Sequence, residues 1–233
     1  MATPTCFNGL TCCHGLGAHM TLVLTTRDIE ILQSLSRAVR LYSVDQIESH
    51  WGRGAACTAC SVSRRLRQLQ TAGWLRLHTV LARPLPPITA PLQVWFPGDP
   101  TPDIGTLSWQ AKKRWKSAAR GIRVICATSK STQAFSGKKA RGIRQSFQLS
   151  HDLGTSAVYL LYLAQRPDLA ALWKGEGMIP EARRAGKVPD AVIARSSDWP
   201  PDLFVEFAGA YNPERVQRFH GYCARHLIPY ELW

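Results

Sequence analysis

Acidic residues are scarce in this chain, and their distribution is uneven. Sixteen Asp and Glu stand against 29 Lys and Arg in 233 residues, a formal charge of +13, and the pI is near 9.8. No acid at all lies between Asp103 and Asp152. That imbalance points to a polyanionic partner, most often nucleic acid. Long apolar runs are also missing. The longest, Ala157 to Ala164, falls far short of the roughly 18 residues that span a bilayer, so no membrane association is expected. No Gly-x-x-x-x-Gly-Lys-Ser/Thr run occurs and Gly52-Arg53-Gly54 is too short for a phosphate loop, so no nucleotide cofactor is expected.

Residues 1–20 have neither a basic cluster nor a continuous apolar core, so they do not read as a secretory signal. They read as disordered, with Met20 a candidate natural start. Seven cysteines, an odd number with no export signal, suit reduced thiols in a cytoplasm. Cys57-x-x-Cys60 has zinc-like spacing, but no second pair follows at finger or ribbon distance. Cys12, Cys13 and His14 would complete a site only if the unpatterned amino terminus folded back. Small buried thiols are the favoured reading over zinc. No serine-histidine-aspartate arrangement follows from spacing, and His220 and His226 read as packed or surface histidines.

What is present is a folded chain, 45% hydrophobic, long enough for one large domain or two small ones. From Thr26 the pattern is helical, with Ile29, Leu32 and Leu35 at helix spacing. Ser43-x-x-Gln46 is a capping box for a second helix with Ile47 and Trp51 on its apolar face. A third turns Val62, Leu66 and Leu69 inward and ends at Gly73. Trp74 to Val80 reads as a strand. After a proline-rich loop, Leu92 to Phe96 reads as its returning partner. Three helices and a hairpin make a winged helix over residues 21–103. Short polar and arginine side chains near the start of its third helix suit base edges and phosphates. The candidate DNA contacts are Ser61, Ser63, Arg64, Arg65 and Arg67, with Arg76 and His78 on the wing. The alternative is a solvated amphipathic face, or a winged helix that binds protein.

Residues 104–147 read as a basic linker. A helix is expected over about 108–119, carrying Lys112, Lys113, Arg114 and Lys116 beside Trp109 and Trp115. Residues 129–139 read as a mobile loop. Such a charge run is often only a solvated face. Its lack of counter-charge favours phosphate contact that is sequence-independent and salt-sensitive.

Residues 148–233 alternate helix and strand. A core helix is expected over 155–166 with Val158, Leu161 and Tyr162 toward a sheet. Strands are expected at 188–194, 203–207 and 226–233, and a helix opens at Asn212-Pro213-Glu214 with an asparagine cap and proline at its first position. Val216, Phe219 and Cys223 form that helix's inner stripe. Two carboxylates, Asp190 and Glu206, lie on the two adjacent strands. Such a pair can hold a hard cation such as Mg²⁺, which binds oxygen ligands.

Lys187-Val188-Pro189-Asp190 followed by Val205-Glu206-Phe207 resembles the core of the PD-(D/E)xK nuclease fold. With the amino-terminal elements, and with His151-Asp152-Leu153 and Trp173 to Glu176, residues 26–233 resemble the replication-relaxation family of plasmids and mobile elements. The resemblance implies an α/β (α+β) chain, a winged helix-turn-helix followed by a PD-(D/E)xK restriction-endonuclease-like domain. It implies binding of double-stranded DNA in replication, mobilisation or transcription control, with a protein partner or a homodimer as further options. It carries Asp190 and Glu206 over as metal-binding acids, and Glu176 or Asp152 as an additional acid. The position of the family's lysine is Ala208. A fold kept for binding is therefore favoured over a Mg²⁺-dependent endonuclease, in which Lys187, or Arg215 and Arg218, would have to stand in.

Overall fold

The computed structural model describes residues 22–52, 59–138, 142–143, 146–180, 188–195 and 200–233. Lys187, Cys57, the amino-terminal cysteines and residues 1–20 lie outside them, as does the Cys60 side chain. Eight helices and two sheets make a mixed α/β structure among the described residues. None of these helices is long and apolar enough to cross a membrane.

The first layer is helical: α1 (Thr26–Arg37), α2 (Val44–Trp51) and α3 (Ala59–Thr71). The expected capping box of Ser43 with Gln46 forms at α2, and a second, Thr25 with Asp28, opens α1. Each satisfies amide groups that a helix start leaves without partners. Gly73, at φ +75°, terminates α3 as glycine's left-handed freedom allows. Val62, Leu66 and Leu69 are buried as their spacing predicts. Ile29 is not: it is 40% exposed, and Ile31 takes the inward position on α1.

Beneath these helices lies a three-stranded antiparallel sheet, ordered β1 (Leu41–Ser43), β4 (Arg120–Ala127), β2 (Leu75–Ala82). Here the structure departs from the expected hairpin. The partner of β2 is β4, with Leu75 opposite Ala127 and Ala82 opposite Arg120. Strand β3 (Gln93–Trp95), expected to return along β2, instead pairs with β8 (Tyr230–Leu232) at the edge of the second sheet. The residues of β4 lie within the stretch read as linker. Its arginines drew attention to charge, whereas Ile122, Val124, Ile125 and Cys126 supply a strand covered on both faces. Helix α4 (Ile104–Lys113) starts earlier than expected, capped by Asp103, and stops before Trp115. The segment read as a loop after Thr128 is partly helix α5 (Ser129–Ala134), capped by the Thr128 hydroxyl.

The second sheet is ordered β3, β8, β7 (Leu203–Glu206), β6 (Ala191–Ile193), β5 (Trp173–Gly175). Only the β7–β8 pair is parallel. Helices α4 and α8 (Pro213–Arg225) cover one face, where Leu107, Ala111, Val216, Phe219 and Cys223 pack on Val192, Phe204 and Tyr230. Asn212 and Pro213 begin α8 as expected.

Helix α6 (Ser146–Gln165), followed by the short α7 (Pro167–Ala171), lies between the two sheets. Leu149 and Leu153 meet Leu41, Val80 and Val124 of the first. Val158, Tyr159 and Tyr162 join Trp173, Ile193, Val205 and Phe207 of the second. A helix apolar on more than one side is a buried helix. It begins about nine residues before the expected start and so carries His151 and Asp152 on its first turns. Gly154 permits its closest approach, since a Cβ there would lie 2.1 Å from the Phe207 ring. Gly154→Ala gains about 1 kcal/mol of helix propensity but drives a methyl group into a rigid ring. A net loss of roughly 2 kcal/mol in urea unfolding is expected. Unchanged stability would show that α6 does not sit this close to Phe207.

Candidate functional site

Two regions carry the polar chemistry. The first is the outer surface of α3 and of the β2–β4 ribbon. Arg64 and Arg67 project from α3 and are exposed, as are Arg76 and His78 on β2 and Arg120 and Arg123 on β4. Ser61 and Ser63 are half-buried, the latter 3.5 Å from Glu48.

Arg65 behaves differently from its neighbours. Its Nη2 lies 2.6 Å from Oδ2 of Asp28 and donates to the Val23 carbonyl, also at 2.6 Å, while Nε donates to the same carboxylate at 3.1 Å. Asp28 is completely buried. This guanidinium fastens α3 to the start of α1 and is committed within the protein. Helical spacing could not reveal that, because 37 residues separate the pair. Burial by itself would raise the Asp28 carboxyl; the Arg65 guanidinium and the Thr25 groups outweigh it and hold the carboxyl below the ordinary range.

Arg114 likewise turns inward. It donates to the Trp233 carbonyl oxygen at 2.7 Å and its guanidinium sits 4.7 Å from the Phe207 ring centroid. Burial pushes its pKa down to about 10. Lys112, Lys113 and Lys116 remain exposed, with Lys113 Nζ 4.0 Å over the ring of Trp109.

The second region is a cavity of about 330 Å³ where the amino-terminal part of α6, the β6–β7 strands and the start of α8 meet. Asp152, Glu176, Asp190 and Glu206 all line it, with His151, Tyr211 and Arg215. The two acids singled out by their strands do converge. Glu206, which is buried, accepts the Asp190 backbone N–H at 3.2 Å. Asp190 accepts the Phe207 N–H at 2.8 Å, and His151 Nε2 lies 3.3 Å from the same oxygen. The Tyr211 hydroxyl donates to Glu206 at 2.5 Å. Burial, then the charges of Glu206 and Asp190, drive the Tyr211 phenol far above its ordinary value, so it stays a donor.

Across the cavity, Arg40 reaches Asp152 at 3.4 Å and Glu176 at 3.1 Å. The Glu176 N–H donates to the Asp190 carbonyl at 2.8 Å, which ties this second pair of acids to the first. Arg215 lies with its guanidinium carbon 3.9 Å from the Tyr211 ring centroid. Arg40 and Tyr211 were not found from the sequence. Arg40 sits 136 residues from Glu176, and Tyr211 occupies a turn with no motif. Ala208 is fully buried among α8-facing residues.

Both Glu206 oxygens and one Asp190 oxygen accept protein N–H or O–H groups, and Glu176 faces Arg40. Among the described residues, no group of three or more His, Cys, Asp or Glu is arranged to hold a metal. Of the two histidines weighed earlier, His220 is buried with Nδ1 3.1 Å from the Tyr230 hydroxyl. His226 lies on the surface beside the Tyr222 ring.

The chain matches no protein-family model, no curated protein and no solved structure.

Removing Arg65 leaves a buried carboxylate without its counter-ion, whereas Arg64 and Arg67 have no such duty. Arg65→Ala is expected to cost about 3 kcal/mol in chemical denaturation, against within ~0.5 kcal/mol for Arg64→Ala or Arg67→Ala. Because the Asp28 pKa is depressed in the folded state, its contribution is present above the ordinary value of 3.8 and is lost as pH falls through the folded value. Arg65→Ala should therefore flatten the acid limb of the stability profile. An unchanged acid limb would rule out this pair as a stabilising contact.

Proposed function

We propose that this chain is a double-stranded DNA-binding protein of the replication-relaxation kind, serving a plasmid or other mobile element. In this reading α1 to α3 with the β2–β4 ribbon are a winged helix, and the second sheet with α6 and α8 is a PD-(D/E)xK-like unit kept for its architecture. The observation that carries the proposal is the outward pair Arg64 and Arg67 on α3, with Arg123 on the ribbon face that α3 packs against and Arg76 on the opposite face. These cations are spread over three elements, α3, β2 and β4, of a chain of net charge +13. Such a surface suits a phosphate backbone, and short polar neighbours on the helix suit base edges.

The carboxylate cavity supports the same conclusion from the other side. Two-metal or one-metal phosphodiester hydrolysis needs carboxylate oxygens turned toward the ion and a group that stabilises developing charge. Here the oxygens accept hydrogen bonds from the protein, and the position of the family's lysine is a buried alanine. The acids join α6, the β6–β7 strands and Tyr211, just before α8, into one polar joint. A second reading, a Mg²⁺-dependent endonuclease using Asp190, Glu206 and a relocated lysine, is favoured by the convergence of those two acids alone.

Gel-shift or anisotropy titrations of duplex DNA across a salt series test the first reading. The slope of log K against log salt should shrink by about 2 in the Arg64→Ala/Arg67→Ala double variant, since each lost phosphate contact removes roughly 0.9. Duplex binding absent at low salt would dismiss DNA binding and leave a protein-binding adaptor. Incubation of supercoiled plasmid with Mg²⁺ or Mn²⁺ should give no nicking. Metal-dependent nicking lost in both Asp190→Ala and Glu206→Ala would establish the endonuclease instead.

A further inference from the structure

A second cavity, of about 400 Å³, adjoins the acidic one and shares His151 and Ala210 with it. Its remaining walls are Leu81, Ala82 and Arg83 at the far end of β2, Trp115 and Ala119 before β4, and Ser150 of α6. We propose that this cleft receives one unpaired nucleobase of a DNA strand; the proposal rests on the DNA-binding reading above and specifies a second nucleic-acid form that the chain engages.

The walls are mostly apolar and one is aromatic. Trp115 is held in place by its Nε1–H donating to the Gly209 carbonyl at 2.9 Å and by an edge contact with Phe207 at 6.2 Å. A ring already immobilised costs little entropy when a base stacks on it. Leu81 also lines the cleft and is 59% exposed, an apolar side chain with little protein cover. The Arg83 backbone N–H donates to the Ser150 hydroxyl at 2.8 Å, which ties the strand end to α6 and sets the width of the cleft. Its volume falls toward the small end of the usual ~300–1,000 Å³ range for ligand pockets, suited to a single planar ring system.

Charge sets the orientation. Beyond the shared wall of His151 and Ala210 lie the carboxylates of Asp152, Glu176, Asp190 and Glu206. That side repels phosphate. Arg83 lines the cleft and is exposed, and Lys116 is exposed in the chain between the wall residues Trp115 and Ala119. A nucleotide therefore enters base first and leaves its phosphates on the cationic rim. Fully paired duplex cannot do this without extruding a base, so the cleft discriminates for unpaired DNA.

The test uses the full chain with a labelled single-stranded oligonucleotide and a blunt duplex of the same sequence, one strand carrying 2-aminopurine. Ala119→Trp fills the cleft from an exposed position, and Leu81→Ser removes an exposed apolar wall, so neither variant disturbs a buried core. Each should weaken single-strand binding by about tenfold, the scale of one lost base stack, and leave duplex affinity and its salt slope unchanged. Wild-type binding should quench 2-aminopurine in the single strand, and both variants should relieve that quenching. Single-strand affinity unaffected by both variants, or equal losses on single strand and duplex, would overturn the cleft assignment. Duplex binding without single-strand binding overturns the cleft alone, whereas failure to bind either form overturns the DNA-binding reading beneath it.

Discussion

The burial of α6 between two sheets is the constraint on which the rest of this molecule depends. One side of the helix closes the core of the three-stranded sheet through Leu149 and Leu153, and the other closes the five-stranded sheet through Val158, Tyr159 and Tyr162. Because protein interiors are close-packed, a helix in that position has no freedom to slide. Gly154 lets it press against Phe207. Phe207 is also the residue whose backbone N–H is bonded by Asp190. The packing contact and the polar joint are thus fixed by the same short segment of β7 and the residue after it.

Polar groups at this junction repeat one logic. A carboxylate removed from water is costly unless its oxygens find donors. Glu206 finds the Asp190 amide and the Tyr211 hydroxyl, and buried Glu231 on β8 finds the Tyr162 hydroxyl and Arg166, both at 2.6 Å. Arg40 serves Asp152 and Glu176 together. Those of Glu231 and of Arg40 cross between elements distant in the chain. They specify how α6 and the second sheet meet in a way that apolar contact alone does not. The cation-rich outer surfaces lie elsewhere, on α3, α4 and the β2–β4 ribbon, so the molecule separates its acidic interior joint from its basic exterior.

Much of the local structure was legible beforehand. The Ser43–Gln46 capping box, the glycine end of α3, the Asn-Pro opening of α8 and the apolar stripes of α3 and α8 each depend on residues within one or two turns. The convergence of Asp190 and Glu206 was also readable, because two short apolar runs joined by a brief polar loop tend to pair. The partner of β2 was not readable. Both 92–96 and 120–127 have the composition of a strand, and nothing local says which one returns. The arginines of the latter hid its apolar core positions. Arg65 and Arg114 were likewise placed with the outward cations, since a side chain's type does not say whether a buried acid or a carbonyl awaits it.

By itself the amino-acid sequence determined helices α1, α2, α3 and α8, the Ser43 and Asn212 caps, the glycine end of α3, the excess of positive charge and the alternation of elements in the second half. Those properties follow from short-range periodicity, backbone preferences and composition. Tertiary structure alone decided that β4 completes the first sheet, that β3 joins the second, and that α6 serves both. It also decided that Arg65 meets Asp28, that Arg40 spans two acids, and that His151 forms a wall between an acidic cavity and an apolar cleft. The physical reason is range: strand pairing, ion pairs and cavities arise from groups tens to more than a hundred residues apart, where neither spacing nor residue type encodes the partner.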